Sequence, residues 1–185
     1  MPYGKLVGTQ GAALSEFITG RIVHDLCCGD GTLTKWMAAN GARHVHAVDI
    51  NSGVLPVRFK APNITRHHCA LAHYLRNMAV TPKDMAFCSW PSNSNTEALL
   101  PTIKKFNRVA YLGKNTDGTA CGQHDLWRHL TKRTLFHEVA DKTNCLLLYT
   151  TNEVFPEPMF RSEEEIAGLL SVGLFNPLSY GQLLK

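Results

Sequence analysis

Between Ile22 and Asp49 the chain carries a unit that few architectures can accommodate. Ile22-Val23-His24-Asp25-Leu26 reads as a strand and Cys27-Cys28-Gly29-Asp30-Gly31-Thr32 as a tight turn. Leu33, Trp36 and Met37 then form the apolar stripe of a helix, and Arg43 to Ile50 makes a second strand. Asn40-Gly41 is a good stop signal for that helix. Gly29 and Gly31 let backbone approach a ligand where a side chain would collide. Asp49 follows at about the 20-residue spacing at which such a unit places the acid that grips ribose hydroxyls. The pattern predicts a β-α-β unit that binds an adenosine-containing ligand.

The turn itself argues against a dinucleotide. A pyrophosphate site wants a third small residue where Thr34 stands, and Asp30 inside the turn would repel phosphate at the helix N-terminus. A phosphate-free adenosine ligand with positive groups fits better, and S-adenosylmethionine carries both an ammonium and a sulfonium. Asp25, closing the first strand, is placed to serve that positive end directly or through the loop amides. These residues resemble motif I of the class I S-adenosylmethionine-dependent methyltransferases, acid-x-Gly-x-Gly-x-Gly. Asp25, Gly29 and Gly31 match it, and Cys27 replaces the first glycine. The resemblance implies that Asp25, Cys27, Gly29 and Gly31 shape the methionine side of the pocket, that Asp49 binds the ribose, and that Ile50 packs on the adenine.

The remaining chain alternates between strand and helix patterns. Ala12 to Ile18 predicts a lead helix, Ile64 to Cys69 a third strand and Leu71 to Met78 a helix. Met85 to Trp90 is a fourth strand, with Asp84 facing solvent before it. Glu97 to Lys105 is helical, with Pro101 either kinking it or marking its first turn. Arg108 to Leu112 is a fifth strand leading into the glycine-rich segment Gly113 to Gly122, which either lines a pocket or is a surface loop. Asp125 to Thr131 is expected to be helical, and Arg128 together with Lys132 and Arg133 just beyond it reads as a solvated face or a phosphate contact. Leu135 to Val139 and Cys145 to Tyr149 form an antiparallel hairpin, and Ser162 to Glu165 opens a terminal helix through a capping box. The fold class is α/β, a three-layer sandwich around a mostly parallel sheet. The family resemblance, over roughly residues 5 to 151, implies seven strands with the C-terminal one reversed. Residues 1–151 are expected to form the cofactor-binding domain and 152–185 an extension packed on it.

After the fourth strand comes Ser89-Trp90-Pro91. It resembles motif IV of the amino-group methyltransferases, Asp/Asn/Ser-Pro-Pro-aromatic. Ser89 and Pro91 match, while Trp90 replaces a proline and Ser92 the aromatic. The resemblance implies that Ser89 accepts a hydrogen bond from an acceptor amine. As a neutral hydroxyl it is a poor general base, so rate would come from in-line positioning. The alternative is a strand end with a core tryptophan. Gly4-Lys5-Leu6-Val7-Gly8-Thr9-Gln10 resembles the Gly-x-x-Thr-Pro segment that touches the cofactor's carboxylate end in some amino methyltransferases, with Gln10 replacing the proline, which makes Thr9 a candidate.

His44-x-His46, His67-His68-Cys69 and Cys121-x-x-His124 supply no four-ligand set, so no metal is expected and these histidines read as structural or exposed. Cys88 reads as a buried thiol. A chain of 185 residues, 44% hydrophobic, can bury roughly 70% of its unfolded surface in one core. No apolar run approaches the ~20 residues of a membrane span, and Met1 to Leu6 carry no signal-peptide pattern. Six scattered cysteines suit reduced thiols in the cytoplasm rather than a disulfide framework. The net charge of +4 permits a nucleic-acid partner without demanding one.

The sequence therefore predicts methyl transfer from S-adenosylmethionine to a nitrogen of a nucleic acid, nucleotide or other small acceptor. The alternatives are a methyltransferase-fold protein that binds cofactor or partner without transfer, and a nicotinamide-dependent oxidoreductase.

Overall fold

The computed structural model describes residues 6, 8–50, 61–81, 83–91, 96–113, 134–140 and 145–150. Their order is α1 (Gly8–Ile18), β1 (Ile22–Leu26), α2 (Thr32–Ala39), β2 (His44–Asp49), β3 (Ile64–His68), α3 (Leu71–Asn77), β4 (Asp84–Ser89), α4 (Thr96–Ile103), β5 (Arg108–Gly113), β6 (Thr134–Ala140) and β7 (Cys145–Thr150). The strands form one seven-stranded sheet in the order β3-β2-β1-β4-β5-β7-β6. β1 runs parallel to β2 and β4, β2 to β3, and β4 to β5, while β7 lies antiparallel to both β5 and β6. The reversed last strand and the hairpin match the sequence expectation. Expected elements and observed ones differ mainly by a residue or two at their ends. Pro101 falls inside α4 rather than in its first turn. The segment 114–122, the expected helix 125–131 and the extension 152–185 lie outside the described residues.

Alternation along the central strands divides the core into two layers. Val23, Val45, Met85, Phe87, Ala110, Leu112, Leu146 and Leu148 point to one face, where Leu14, Phe17 and Ile18 of α1 and Leu33 and Met37 of α2 cover them. Leu26, Val48, Ala86, Cys88, Val109, Tyr111, Leu147 and Tyr149 belong to the other, covered by Leu71 and Tyr74 of α3, Leu99 and Ile103 of α4, and Phe106. Both faces of each central strand are buried, as the sandwiched strands of a parallel sheet must be. Truncating one of the fully buried leucines or methionines to alanine would cost about 2–5 kcal/mol.

One side of this core is unexpectedly polar. His24 of β1 sits opposite His46 of β2 with the two rings stacked 4.9 Å apart. His24 Nδ1 lies 2.7 Å from the Tyr74 hydroxyl, and its Nε2 is 3.5 Å from Asp84 Oδ2. These partners favour the neutral tautomer with hydrogen on Nε2 and Nδ1 accepting from tyrosine. His46 Nδ1 and His67 Nε2 are 3.0 Å apart, so one ring donates and the other accepts. His44 adjoins His46 at 4.9 Å between ring centres. Asp84 is the first residue of β4 and is buried, not facing solvent as its sequence context suggested. Its carboxylate accepts the Thr81 N–H and hydroxyl, both at 2.8 Å, and these bonds make the burial tolerable. Burial disfavours charge on His24, His46 and His67, and their mutual repulsion adds to it. His46 is pulled down to about 4.

The link from β1 to α2 runs through left-handed backbone. Cys27, Gly29 and Gly31 all have positive φ, at 63°, 54° and 73°. Glycine adopts these values freely, whereas a side chain at Cys27 costs about 1–2 kcal/mol.

Two outcomes follow for stability. Urea unfolding should rank Cys27→Gly above wild type and Cys27→Val below it, with the two variants separated by about 1–2 kcal/mol. Because the folded protein keeps His46 neutral below its unfolded pKa of 6.5, that residue's stabilisation is complete above pH 6.5 and is lost as pH falls toward 4. The stability gap between wild type and His46→Gln, followed by thermal melts from pH 7.5 to 4.5, should move against wild type as the pH is lowered.

Candidate functional site

Register places the candidate residues along one end of the sheet. Leu26 pairs with Val48 on one side and with Cys88 on the other. The glycine turn, Asp49 and Ser89 therefore leave the sheet side by side, at the carboxyl ends of three adjacent parallel strands. The chain turns left from β1 toward β2 and β3, and right toward β4 and β5, so this is the topological switch point where such sheets bind ligands.

Backbone bonds set the turn's shape. Cys28 N–H reaches the Val48 carbonyl at 3.0 Å, and Gly31 N–H closes back on the Cys28 carbonyl at 3.0 Å. Gly31, left-handed, is the N-cap of α2, and Thr32 N–H is met by Asp30 Oδ1 at 2.9 Å. Asp49 Oδ2 accepts the Gly29 N–H at 2.9 Å, tying the end of β2 to the tip of the turn. Among the described residues a Cβ built on Gly29 would meet nothing within 4 Å, so glycine there serves the left-handed conformation. Ile50, next to Asp49, is 67% exposed. Its carbonyl accepts from His68 Nε2 at 2.8 Å, which holds the chain where β2 ends.

Asp25 lies in β1, fully buried. The Thr34 hydroxyl donates to its Oδ2, and its Oδ1 has no partner among the described residues. Burial pushes its carboxyl up to about 7, with Asp49 and Asp30 adding to the rise and the Thr34 bond opposing it. The Cys28 thiol is pushed up too, by burial first and then by Asp25 and Asp49. The sequence marked Thr34 only as a missing small residue. A hydroxyl in the first turn of the helix that follows an acid-ended strand was the available signal.

Ser89 closes β4 half-buried, and Pro91 is buried. Between them Trp90 has φ of 46°, a sparsely populated conformation for so large a residue and one that costs about 1–3 kcal/mol. Its N–H continues the sheet ladder to the Leu112 carbonyl at 2.8 Å, and its ring packs against the α3–α4 side of the core. The indole Nε1 is buried with no partner among the described residues. Strain at Cys27 and Trp90 thus falls on the ends of two neighbouring strands. Thr9 stands exposed in the first turn of α1.

The donor set fits a ligand that is cationic at one end and free of phosphate. Three acidic side chains lie at the turn, Asp30 within it, Asp25 in the strand before it and Asp49 bonded to its Gly29, with an orphaned buried oxygen on Asp25 and the exposed Ile50 beside Asp49. Among the described residues no three His, Cys, Asp or Glu side chains are arranged to hold a metal ion. No helix among them is long and apolar enough to cross a membrane.

No family model matches the chain, and no curated protein does so. Solved structures do. A Pyrococcus horikoshii protein proposed to be an RNA methyltransferase superposes with a TM-score of 0.59 at 15% identity, over 80% of this chain and 86% of its own. TrmK of M. capricolum, in complex with S-adenosyl-homocysteine, gives 0.58 at 15% identity over 94% of this chain and 90% of its own. Magnesium protoporphyrin IX methyltransferase of Synechocystis, with the same compound bound, gives 0.51 at 16% identity over 80% and 90%. Together with the strand order and the reversed β7, these likenesses show that the chain has the fold of the class I S-adenosylmethionine-dependent methyltransferases.

Proposed function

We propose that this protein transfers a methyl group from S-adenosylmethionine to a nitrogen of a nucleic acid, a nucleotide or another small acceptor. The observation that carries the reading is the set of acidic side chains, Asp25, Asp30 and Asp49, at a left-handed glycine turn at the switch point. A pyrophosphate would be repelled there, whereas a sulfonium and an ammonium are attracted. Two of the similar structures hold S-adenosyl-homocysteine, which supports the same ligand class here.

In this reading the cofactor supplies an electrophilic methyl carbon on a positively charged sulfur. The backbone of Cys27 to Gly31 and the Asp25 carboxyl receive the methionine end. Asp49 is already oriented by Gly29 N–H, and it accepts the ribose hydroxyls. The exposed Ile50 covers one face of the adenine. Ser89, on the neighbouring strand end, accepts a hydrogen bond from the acceptor's N–H and turns its lone pair toward the methyl carbon. Pro91 and the Trp90 backbone give that segment a rigid exit from β4. Because a serine hydroxyl does not take the proton, the nitrogen loses it to water after transfer. The barrier is lowered chiefly by holding nucleophile, carbon and leaving sulfur in line.

Two measurements test this. Calorimetry with S-adenosylhomocysteine should show Asp49→Ala binding weaker by about 1.5–3 kcal/mol, roughly 10- to 150-fold, the value of a hydrogen bond to a charged group. Stabilisation by NAD but not by S-adenosylhomocysteine would overturn the reading in favour of an oxidoreductase. With methyl-labelled cofactor and candidate nucleic acids or nucleotides, Ser89→Ala should lower kcat about tenfold at unchanged cofactor affinity. Tight cofactor binding with label passed to no acceptor would instead mark a protein that binds without transfer.

A further inference from the structure

Asp25 is poorly placed to carry a charge by itself. Only one of its carboxyl oxygens is met, by Thr34, and the other is buried without a partner among the described residues. Taking a carboxylate out of water in this way disfavours the ionised form. The elements packed around it do not restore it. In register on either side stand Ala47 of β2 and Phe87 of β4. The buried side chains of α1 are Gln10, Leu14, Phe17 and Ile18, and those of α2 are Leu33, Thr34 and Met37. Glu16 and Lys35 on those helices face solvent. The charged groups that bear on Asp25 are Asp49 at the end of β2 and Asp30 in the turn, both of its own sign. Among the described residues only the Thr34 hydroxyl favours the anion.

A positive ligand changes this balance. Cys27, where the turn begins, is separated from Asp25 by Leu26 alone, so charges held by the turn act on the carboxyl through a low-dielectric interior. Resting on the cofactor reading above, we infer that arrival of the cationic methionine end converts the Asp25 carboxyl to its carboxylate, with Thr34 as the positioning residue that holds the anion. The O–H bond of the carboxyl breaks, its electrons stay on oxygen, and the proton leaves to solvent. Nothing is oxidised or reduced. Proton and cofactor then compete for one state of the protein, so each weakens the other's binding by the same factor. With the free carboxyl near 7, affinity is full above that pH and falls as the solution is acidified, by at most about tenfold per unit.

The test is isothermal titration of the full chain with S-adenosylmethionine at pH 6.0 to 7.5, in phosphate and in imidazole, whose ionisation heats differ. The expected result is between about half and one proton released per site at pH 6.5, declining toward pH 7.5. Asp25→Asn should abolish the release and flatten the affinity profile. Thr34→Val removes the donor that favours the anion and should move the release midpoint to higher pH, while Thr34→Ser should leave it in place. If Asp25→Asn does not fold, the wild-type buffer dependence and the Thr34 pair still decide. Binding with the same heat in both buffers at every pH overturns this inference and leaves the cofactor reading standing. Absence of binding overturns both.

Discussion

The chain has to leave a buried parallel strand and enter a helix within a few residues, and it does so through a left-handed bend. Cys27, Gly29 and Gly31 at positive φ make that bend at the switch point, and everything at the candidate site is referred to it. It presents the Gly29 N–H to Asp49, so the end of β2 is fixed relative to the end of β1. It also delivers the first turn of α2 over β1, and Thr34 thereby reaches Asp25. A straighter connection would lose both bonds together and leave two carboxylates unplaced. The local cost of the bend is small against the burial of Leu33 and Met37 that α2 then achieves on the sheet.

Much of this architecture is legible in the sequence because parallel strands covered on both faces must be apolar nearly throughout. Met85 to Ser89 satisfies that condition, Ile22 to Leu26 does so except at His24 and Asp25, and the antiparallel Cys145 to Tyr149, also buried, is apolar for the same reason. The glycine turn and Asp49 are legible too, because left-handed backbone and an acid at a fixed distance are demands on particular residues. The histidines and Asp84 are harder. A His or Asp in a strand tells nothing of burial until its partners are known, and those partners come from distant segments. Tyr74 of α3 and His67 of β3 approach only when the sheet is assembled, and Thr81 satisfies Asp84 through the turn before β4. Thr34 was hidden for the same reason: its role depends on the facing of α2 toward β1, which spacing alone does not specify.

The departures from the family's motifs are intelligible in this geometry. Cysteine replaces a glycine at Cys27 in a conformation that glycine would adopt without strain. Tryptophan occupies another left-handed position at Trp90, directly across the switch point. Both side chains pack against the α3–α4 half of the core, so the apolar contact offsets part of the backbone strain. Strained residues persist where surrounding structure over-determines them. Here the β4–β5 ladder on one side and the β1–β2 ladder on the other do so. The buried histidine cluster stands beneath α3, on the face opposite the one that holds Asp25, so the responses of the histidines and of Asp25 to acid arise from separate layers.

The position of β7 has a consequence for how the protein is made. The strand that bridges β5 and β6 is the last of the seven, so the neighbour that β5 awaits is the latest to leave the ribosome. Until residues 145–150 emerge, the growing chain exposes the apolar flank of Val109 to Leu112 with its backbone donors and acceptors unmatched. Such a flank is a template for any other extended polypeptide nearby. Vectorial synthesis therefore gives this molecule an interval of adhesiveness, which ends when a single six-residue strand slides into its slot.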